Sequence, residues 1–571
     1  GEPTTPTHAS QGKVWRSIMD LIDHPNSENE FISVVDHERA KFSSHPWSVT
    51  GGGAAELKDK LDMESTICLG SLITSIGRYC HTGNDEAYFF PKGRLAYKGF
   101  SSGQYVQLVE GSTVRDWGIR PETEAIFPYG EGLTAIKECP NNIIIRHLWG
   151  VRSILSLRKE PGGTHEEIGL TWYEWSRWHP ERYSVPLGIA FAEVATHNHF
   201  SLNRGGNVFK QTSPVIKFPK DKSENYYYSV LGLLNSSIVC FWMKEVCHNK
   251  GDFKDSSGAR VTGDPAFDTY QYSSTALKKL PIAAVNNSSV LKLAKQLDNL
   301  SVAIDGFSPE KILSSTPDDL VYQLDISRDK INDLFSQQIF CQEELDWLCY
   351  DLYKVSDDIG LKYSCEDVLL RPGERAFEIY LARKIRDGKS SSSWFERHKF
   401  LPVVDIPSHW PKEYQKVVEL RIYTIEKNRN IYLTEQPEYK RRWSKKSLNV
   451  SEKKALKSWL LNRIEELLKS NSCLLRTGAQ LVDLLLSEPI SRTIFDYFSG
   501  SKMCDAQSVL IELLEPESVP QYSRARLKPT ALKKYFAWQE TWDKQRQEDE
   551  IDVEFGVDQP LSEEDATNEE K

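Results

Sequence analysis

Apolar and polar positions divide the chain into two styles. Between Leu61 and Val285, short apolar runs such as QYVQLVEG, NNIIIRHLWG and SPVIKFP are separated by Gly and Pro turns, the pattern of short strands. Further along, RDKINDLFSQQIFCQEELDWLCYDLY, SEKKALKSWLLNRIEELLKS and TGAQLVDLLLSE repeat their apolar positions every three to four residues, the pattern of helices. The expectation is an α+β protein. A mixed α/β domain spans 61–285, a polar connector 286–327, and a mostly α-helical domain 328–547. Residues 1–60 read as a Gly-, Pro- and Ser-punctuated linker with one amphipathic stretch, VWRSIMDLI. No run of 18 apolar residues is present to span a membrane.

Charge changes this picture at one end only. The formal net charge is −10, but the segment from Glu548 to Lys571 holds eleven acids and one lysine. Residues 1–547 therefore balance at 70 basic and 70 acidic groups, and local basic faces remain open to a polyanion. The acidic block 548–571 reads as a solvated, disordered tail. The ten cysteines form no CxxC pair, and Cys240, Cys247 and His248 lack a second ligand pair at zinc spacing. They read as buried and reduced in a cytoplasmic protein, with no metal expected.

Candidate chemistry begins with what is missing. Methylation of an exocyclic amine calls for an Asn/Asp-Pro-Pro-aromatic turn beside a flipped base. The nearest match, Asp264-Pro265-Ala266-Phe267, lacks the second proline and a preceding strand. No P-loop, Gly-x-Ser-x-Gly elbow or His-Glu-x-x-His occurs, and no metal-binding carboxylate motif of a nuclease stands out. Gly51–Gly53 precede AAELKDKLD, which starts a helix, so a turn is the better reading than a cofactor loop. The chain thus offers no catalytic and no cofactor-binding residue.

It does offer loops suited to phosphates and bases. IGRYCHTGNDEAYFF places Arg78, His81, Asn84 and Asp85 around a Gly turn, and HNKGDFKDSSGARVTGDPAFDTY places Lys250, Lys254 and Arg260 among glycines. Arg and Lys suit guanine edges and Asn suits adenine, and the rival reading is an ordinary turn with solvated charges. His197 and His199, in THNHFSLNRGGNVF, stand two apart, and no third or fourth metal ligand is near in sequence. They read as hydrogen-bonded packing residues. The Trp172–Tyr183 aromatic group reads first as core, with Trp175 and Arg177 as the alternative stacking or backbone contacts. Lys440, Arg441 and Arg442 form a basic–aromatic segment that suits either DNA backbone or a solvated helix face.

In this order, IGRYCHTGNDEAYFF, WYEWSRW, VATHNHFSLNRGGNVFKQTSPVIKFP, LGLLNSSIVCFWMKEVCHNKG and GARVTGDPAFDTYQYSSTALKKLPI resemble the target-recognition region of the PglX family. These are the adenine-specific DNA methyltransferases of BREX phage-defence systems, related to type IIG restriction-methylation enzymes. The resemblance continues through FCQEELDWLCYDLY, RAFEIYLAR, WFERH, EQPEYKRRW and ESVPQYSRARLKPTALKKYFAWQETWDKQR, and so covers about residues 1–547. The family's N-terminal domain binds S-adenosyl-L-methionine and carries the Asn-Pro-Pro-aromatic turn, and this sequence lacks that domain. The opening GEPTTPTHASQGKVW, without an initiator Met, resembles the sequence just after it, so 1–60 reads as the linker that follows the absent domain.

The resemblance implies that this chain supplies DNA target recognition and the C-terminal portion of an adenine-N6 methyltransferase, and is inactive alone. Arg78, Asn84, Arg204, Lys217, Lys250 and Arg260 are the expected DNA contacts. Double-stranded DNA, the phosphatase-like and ATPase proteins of BREX systems and, for a split enzyme, a separate methyltransferase chain are the expected partners. The rival reading is a non-catalytic scaffold of the defence complex, which the long helical half and the acidic tail would suit.

Overall fold

The computed structural model describes residues 12–29, 31–36, 39, 43, 53–65, 67–251, 265–315, 319–356, 360–363, 368–443, 448–469, 478–514 and 529–554. They divide into two compact units. One comprises 1–306 and 330–445, the other 307–329 and 446–571. The expected seam between 285 and 328 therefore does not separate a recognition domain from a helical one. About the first half of the predicted helical domain, 330–445, belongs to the same body as the strands. The α+β fold class stands, with helix predominating toward the C-terminus.

Two four-stranded sheets and one three-stranded sheet build the first unit. The first orders Phe200–Arg204, Leu187–Phe191, Val215–Lys217 and Ser75–Gly77, all antiparallel. The second orders Asn207–Phe209, Tyr105–Val109, Thr123–Ile126 and Phe89–Pro91, with only its first pair parallel. The third orders Val194–Ala195, Thr269–Gln271 and His248–Gly251.

The Arg204-Gly205-Gly206 turn carries the chain from the first sheet into the second. Gly205 and Gly206 have φ of 99° and 77°, a region that a Cβ disfavours, so two glycines make the switch without strain. Residues alternate across the first sheet. Ile189, Phe191 and Ile216 join one core, while Ala190 and Val215 join another with Leu108, Ile126 and Phe209.

Helices Glu224–Leu234 and Ser237–Val246 are apolar nearly all round and are buried accordingly, with Leu231, Leu233, Val239 and Phe241 fully enclosed. The second of them is capped from a distance. Asp346 accepts from Ser237 N at 2.8 Å and from Ser237 Oγ at 2.7 Å, satisfying an orphan donor at the helix start. Asp346 lies on Leu320–Leu352, so a helix of the predicted C-terminal domain completes the folding of the strand-rich half. That bond explains why the expected boundary fails.

The second unit packs Leu313, Leu320 and Leu324 against Leu456, Leu460, Ile464, Leu485, Phe495 and Leu510. These come from Leu448–Lys469, Gly478–Leu486, Pro489–Ser499 and Ala506–Leu514, whose helical period is plain in the sequence. Arg328 ties the unit together through Glu452 at 2.9 Å and Tyr497 Oη at 2.8 Å. The expected disordered tail needs correction at its start, because Glu548–Glu554 continue the helix Pro529–Glu554. The rest of the acidic block, 555–571, lies outside the described residues. Among the described residues no helix is long and apolar enough to cross a membrane.

One local expectation is overturned. NNIIIRHLWG is a helix, Ile143–Trp149, not a strand. Three consecutive β-branched residues favour strand, but Asn142 Oδ1 accepts from Ile144 N at 2.9 Å and starts a helix. Ile144, Ile145 and Leu148 then fall on one buried face.

Candidate nucleic-acid interface

A surface cleft of about 290 Å³ opens where the loops of the three sheets meet, in the first unit. His81 and Asp85 line it from the Gly-turn loop, Lys210, Gln211 and Thr212 from the segment after Asn207–Phe209, and Gln271 from the third sheet. The loop IGRYCHTGNDEAYFF is shaped by its own polar side chains. Thr82 Oγ1 donates to Asp85 Oδ1 at 2.6 Å, and the Asn84 amide donates to Thr82 Oγ1 at 3.2 Å. Asn84 Oδ1 accepts from Ala87 N at 3.3 Å and caps the turn Asp85–Tyr88.

Arg78 Nη1 donates to Gln211 Oε1 at 2.6 Å, which joins the rim of this loop to the opposite wall. Lys210 sits between Asp85 at 2.9 Å and Glu110 at 3.2 Å. Burial pulls its pKa down, but the two carboxylates outweigh it and hold it above the usual lysine range. His81 is held below its ordinary pKa by partial burial and then by the Arg78 charge. Gln271 Nε2 donates to Glu193 Oε1 at 3.1 Å. The cleft is therefore polar and mixed in sign. Its amides and guanidinium suit hydrogen-bond reading of a base edge better than capture of a phosphate.

The structure brings some predicted residues together here and removes others. Arg78 meets the cleft wall through Gln211, while Asn84 lies in the same loop with its side-chain oxygen spent on Ala87 N. Lys250 is exposed on His248–Gly251, the strand hydrogen-bonded to Thr269–Gln271, and is not among the residues that line the cleft. Arg177 pairs with His81 across two short strands and is bound to Glu160 at 2.7 Å. Arg260 and Lys254 lie outside the described residues.

Arg204 is exposed but held by ion pairs at the end of its strand. Its guanidinium meets Asp298 at 2.6 Å, Glu224 at 3.0 Å and Tyr228 Oη at 2.5 Å, so its charge is already matched within the protein. Lys217 is a correction. It is buried, its Nζ donates to the carbonyls of Val185 and Leu187, and desolvation pushes its pKa down to about 7. For Trp175 only the alternative stacking role is overturned: it is 1% exposed and packed among Phe127, Tyr129 and Trp178, as core, so it cannot offer a face to a base.

The basic segment at 440–442 is a third correction. Lys440 is fully buried and bonds Glu435 at 2.7 Å and Asp346 at 3.0 Å. Arg441 is 2% exposed, bonding Asn235 Oδ1 at 2.5 Å and the Asn198 carbonyl at 3.0 Å. Arg442 is half-buried over the Phe267 ring. Lys440 and Arg441 are held by buried carboxylate and amide oxygens, Asp346, Asn198 and Asn235 among them on distant segments, which local sequence does not reveal.

His197 and His199 are buried, with His197 Nε2 3.3 Å from the Pro437 carbonyl and His199 Nδ1 3.3 Å from Arg441 Nη1. Burial holds both well below the ordinary histidine pKa, with neighbouring cations adding to it. They pack, as read from the sequence, on the turn before Phe200–Arg204. Among the described residues no cluster of His, Cys, Asp or Glu could hold a metal ion.

Gly53 does not form a cofactor cradle either. A Cβ there would meet the Arg429 guanidinium at 2.7 Å, and Ala54, Ala55 and Leu57 of the helix it precedes are buried. The described residues of this turn do not fit S-adenosyl-L-methionine. Lys210, Gln211 and Gln271, by contrast, are cleft residues that sequence reasoning missed. No local signal marks them, because the fold alone brings three segments to one opening.

Comparison with known proteins adds three findings. Residues 338–568 match a family described as a domain of unknown function, DUF7008. The chain is 36% identical over 563 residues to the adenine-specific methyltransferase PglX of Streptomyces coelicolor, covering 96% of this chain and 46% of that protein. A solved structure of the type IIL restriction-modification enzyme MmeI in complex with DNA is 12% identical, with a TM-score of 0.32 over 52% of this chain and 34% of that one. A likeness that slight carries no argument. The sequence resemblance to PglX is thus real: the chain is related to that adenine-specific methyltransferase over nearly all its own length, and it spans about half of the relative.

Proposed function

We propose that this chain is the DNA target-recognition and C-terminal portion of a site-specific adenine-N6 DNA methyltransferase of a BREX-type phage-defence system. The observation that carries the reading is the near-full-length likeness to PglX, matched to only part of that protein. The cleft supports it, because Arg78, Gln211 and Gln271 present the donors and acceptors that read base edges. In this reading S-adenosyl-L-methionine, bound outside this chain, supplies the methyl group for the adenine amine. This chain's own residues find the site and hold the duplex while the base is turned out. The partners are double-stranded DNA, the part of the enzyme that binds the cofactor, and the phosphatase-like and ATPase proteins of the defence system, all in the cytoplasm.

The test is fluorescence anisotropy of a labelled duplex with the 571-residue chain. Changing Arg78, Lys250 and Gln271 together to Ala lowers affinity and site preference by about tenfold or more, as loss of base-edge contacts implies. Unchanged affinity and preference overturn the assignment of these contacts. In a labelled-methyl assay the chain alone transfers nothing to DNA, and transfer would overturn the division of labour.

A further inference from the structure

A second surface of the same unit carries a different chemistry. The segment Ile143–Lys159 contains Arg146, Arg152, Arg158 and Lys159 and no Asp or Glu. It folds as two short helices, Ile143–Trp149 and Arg152–Ser156. Their inner face is core, with Ile144, Leu148 and Leu155 enclosed. Their outer face exposes Trp149 by 53%, Ile154 by 59% and Leu157 by 71%, interleaved with the exposed cations Arg146, Arg152 and Lys159.

The indole of Trp149 is held in place. The Arg152 guanidinium lies 4.6 Å from its ring centre and 5.4 Å from that of Trp172. Trp172 meets Trp149 edge-on at 6.0 Å and is itself anchored, its Nε1 donating to Glu138 at 3.0 Å. Glu160, the first acid after the segment, is bound by Arg177. The two acids that flank the segment in sequence are thus bonded to Trp172 and Arg177, and Arg146, Arg152 and Lys159 are exposed with a fixed aromatic ring between them. An exposed, preoriented indole among cations is the arrangement with which proteins stack a nucleobase while holding its backbone.

We propose that Trp149 stacks on an unstacked base of the target DNA, while Arg146, Arg152 and Lys159 hold the phosphates beside it. This rests on the recognition reading, and it adds a place for the duplex distortion that extruding a base requires. Anionic duplex DNA is the occupant that the charge pattern favours.

The experiment compares a fully paired duplex with one carrying a single unpaired base, by anisotropy with the whole chain. Wild type prefers the unpaired-base duplex. Trp149→Ala lowers that preference about tenfold with little effect on the paired duplex, and Trp149→Phe keeps most of it. Arg146→Ala with Lys159→Ala weakens binding to both duplexes and lowers the salt slope by about two. An unchanged thermal transition confirms that the variants fold. If wild type binds DNA and Trp149→Ala keeps the preference, the stacking role is overturned while the recognition reading stands. If wild type binds no duplex at low salt, the recognition reading itself falls. If Trp149→Ala abolishes binding to anionic phospholipid vesicles but not to DNA, the surface is a membrane patch and the proposal is wrong.

Discussion

Two basic–aromatic segments of one folded unit have opposite fates. Tyr439–Trp443 carries Lys440 and Arg441 into the interior, where Asp346, Glu435 and Asn235 receive them. Ile143–Lys159 keeps Arg146, Arg152 and Lys159 outside, around an exposed Trp149. Composition does not distinguish them. The difference is made by partners that the fold supplies: buried carboxylates and carbonyls take Lys440 and Arg441 into the core, and cations without such partners stay in water. A basic run is therefore a candidate for nucleic acid only once the carboxylates that could claim it have been placed.

The largest test of this contrast is Lys440→Ala. It leaves Glu435 and Asp346 buried without their cation, and a loss of about 3–5 kcal/mol is expected in denaturant unfolding. Lys440→Met with Glu435→Gln and Asp346→Asn should recover part of it, since two of the three carboxylates around the ammonium are then neutral and the third, Glu343 at 3.7 Å, keeps Arg421 at 3.9 Å. Next in size is acidification. His197 and His199 are held neutral beside Lys244 and Arg441, below the ordinary histidine pKa. The unfolded chain binds protons there that the folded chain does not, so stability falls as pH drops through about 6.5. Thermal unfolding followed from pH 7.5 to 5 checks this, and a transition that rises over that interval would contradict it.

Arg204→Ala gives a smaller loss. Its ion pair to the 3%-exposed Asp298 side chain goes, but Tyr228 Oη still donates to that carboxylate at 2.8 Å. About 1–3 kcal/mol is expected, read from the denaturant midpoint. Lys217→Met is milder still near neutral pH, because desolvation already lowers the lysine to about 7. Below that pH the folded state must carry a buried charge, and between about 7 and the unfolded value it binds fewer protons than the unfolded chain. Wild-type stability therefore gains with rising pH across that window, and the variant should lose this part of the dependence.

These sites show what was legible in the sequence and what was not. The α+β class, the helices after Leu448 and the strands Tyr105–Val109 and Val215–Lys217 follow from local patterning, the helices from their apolar period and the strands from short apolar runs bounded by turn residues. The two glycines after Arg204 announced a turn for the same local reason. The merging of Lys330–Lys445 with the strand-rich half was illegible, since it depends on bonds such as Asp346 to Ser237. Trp175 was correctly weighed as core, but the exposed indole at Trp149 was hidden by three isoleucines that favour a strand. Asn142 as a helix cap, followed by apolar residues at 144, 145 and 148, was the signal that could have revealed it. The cleft was half legible, its Arg78 and Asn84 loop standing out while Gln211 and Gln271 did not.

The smallest expected effect on stability is the sharpest test of the comparison. Arg146→Ala with Lys159→Ala removes two exposed cations from a helix pair whose packing relies on Ile144, Leu148 and Leu155. Surface changes of this kind alter stability by at most about 0.5 kcal/mol, so the unfolding midpoint should stay within error of wild type. Lys440→Ala removes a single cation and should cost several times more. If the two perturbations cost the same, the exposed cations are matched inside the protein after all and the surface is no docking face. If the double variant is as stable as wild type but binds duplex DNA more weakly, its charges serve a partner, because nothing in the folded chain needed them.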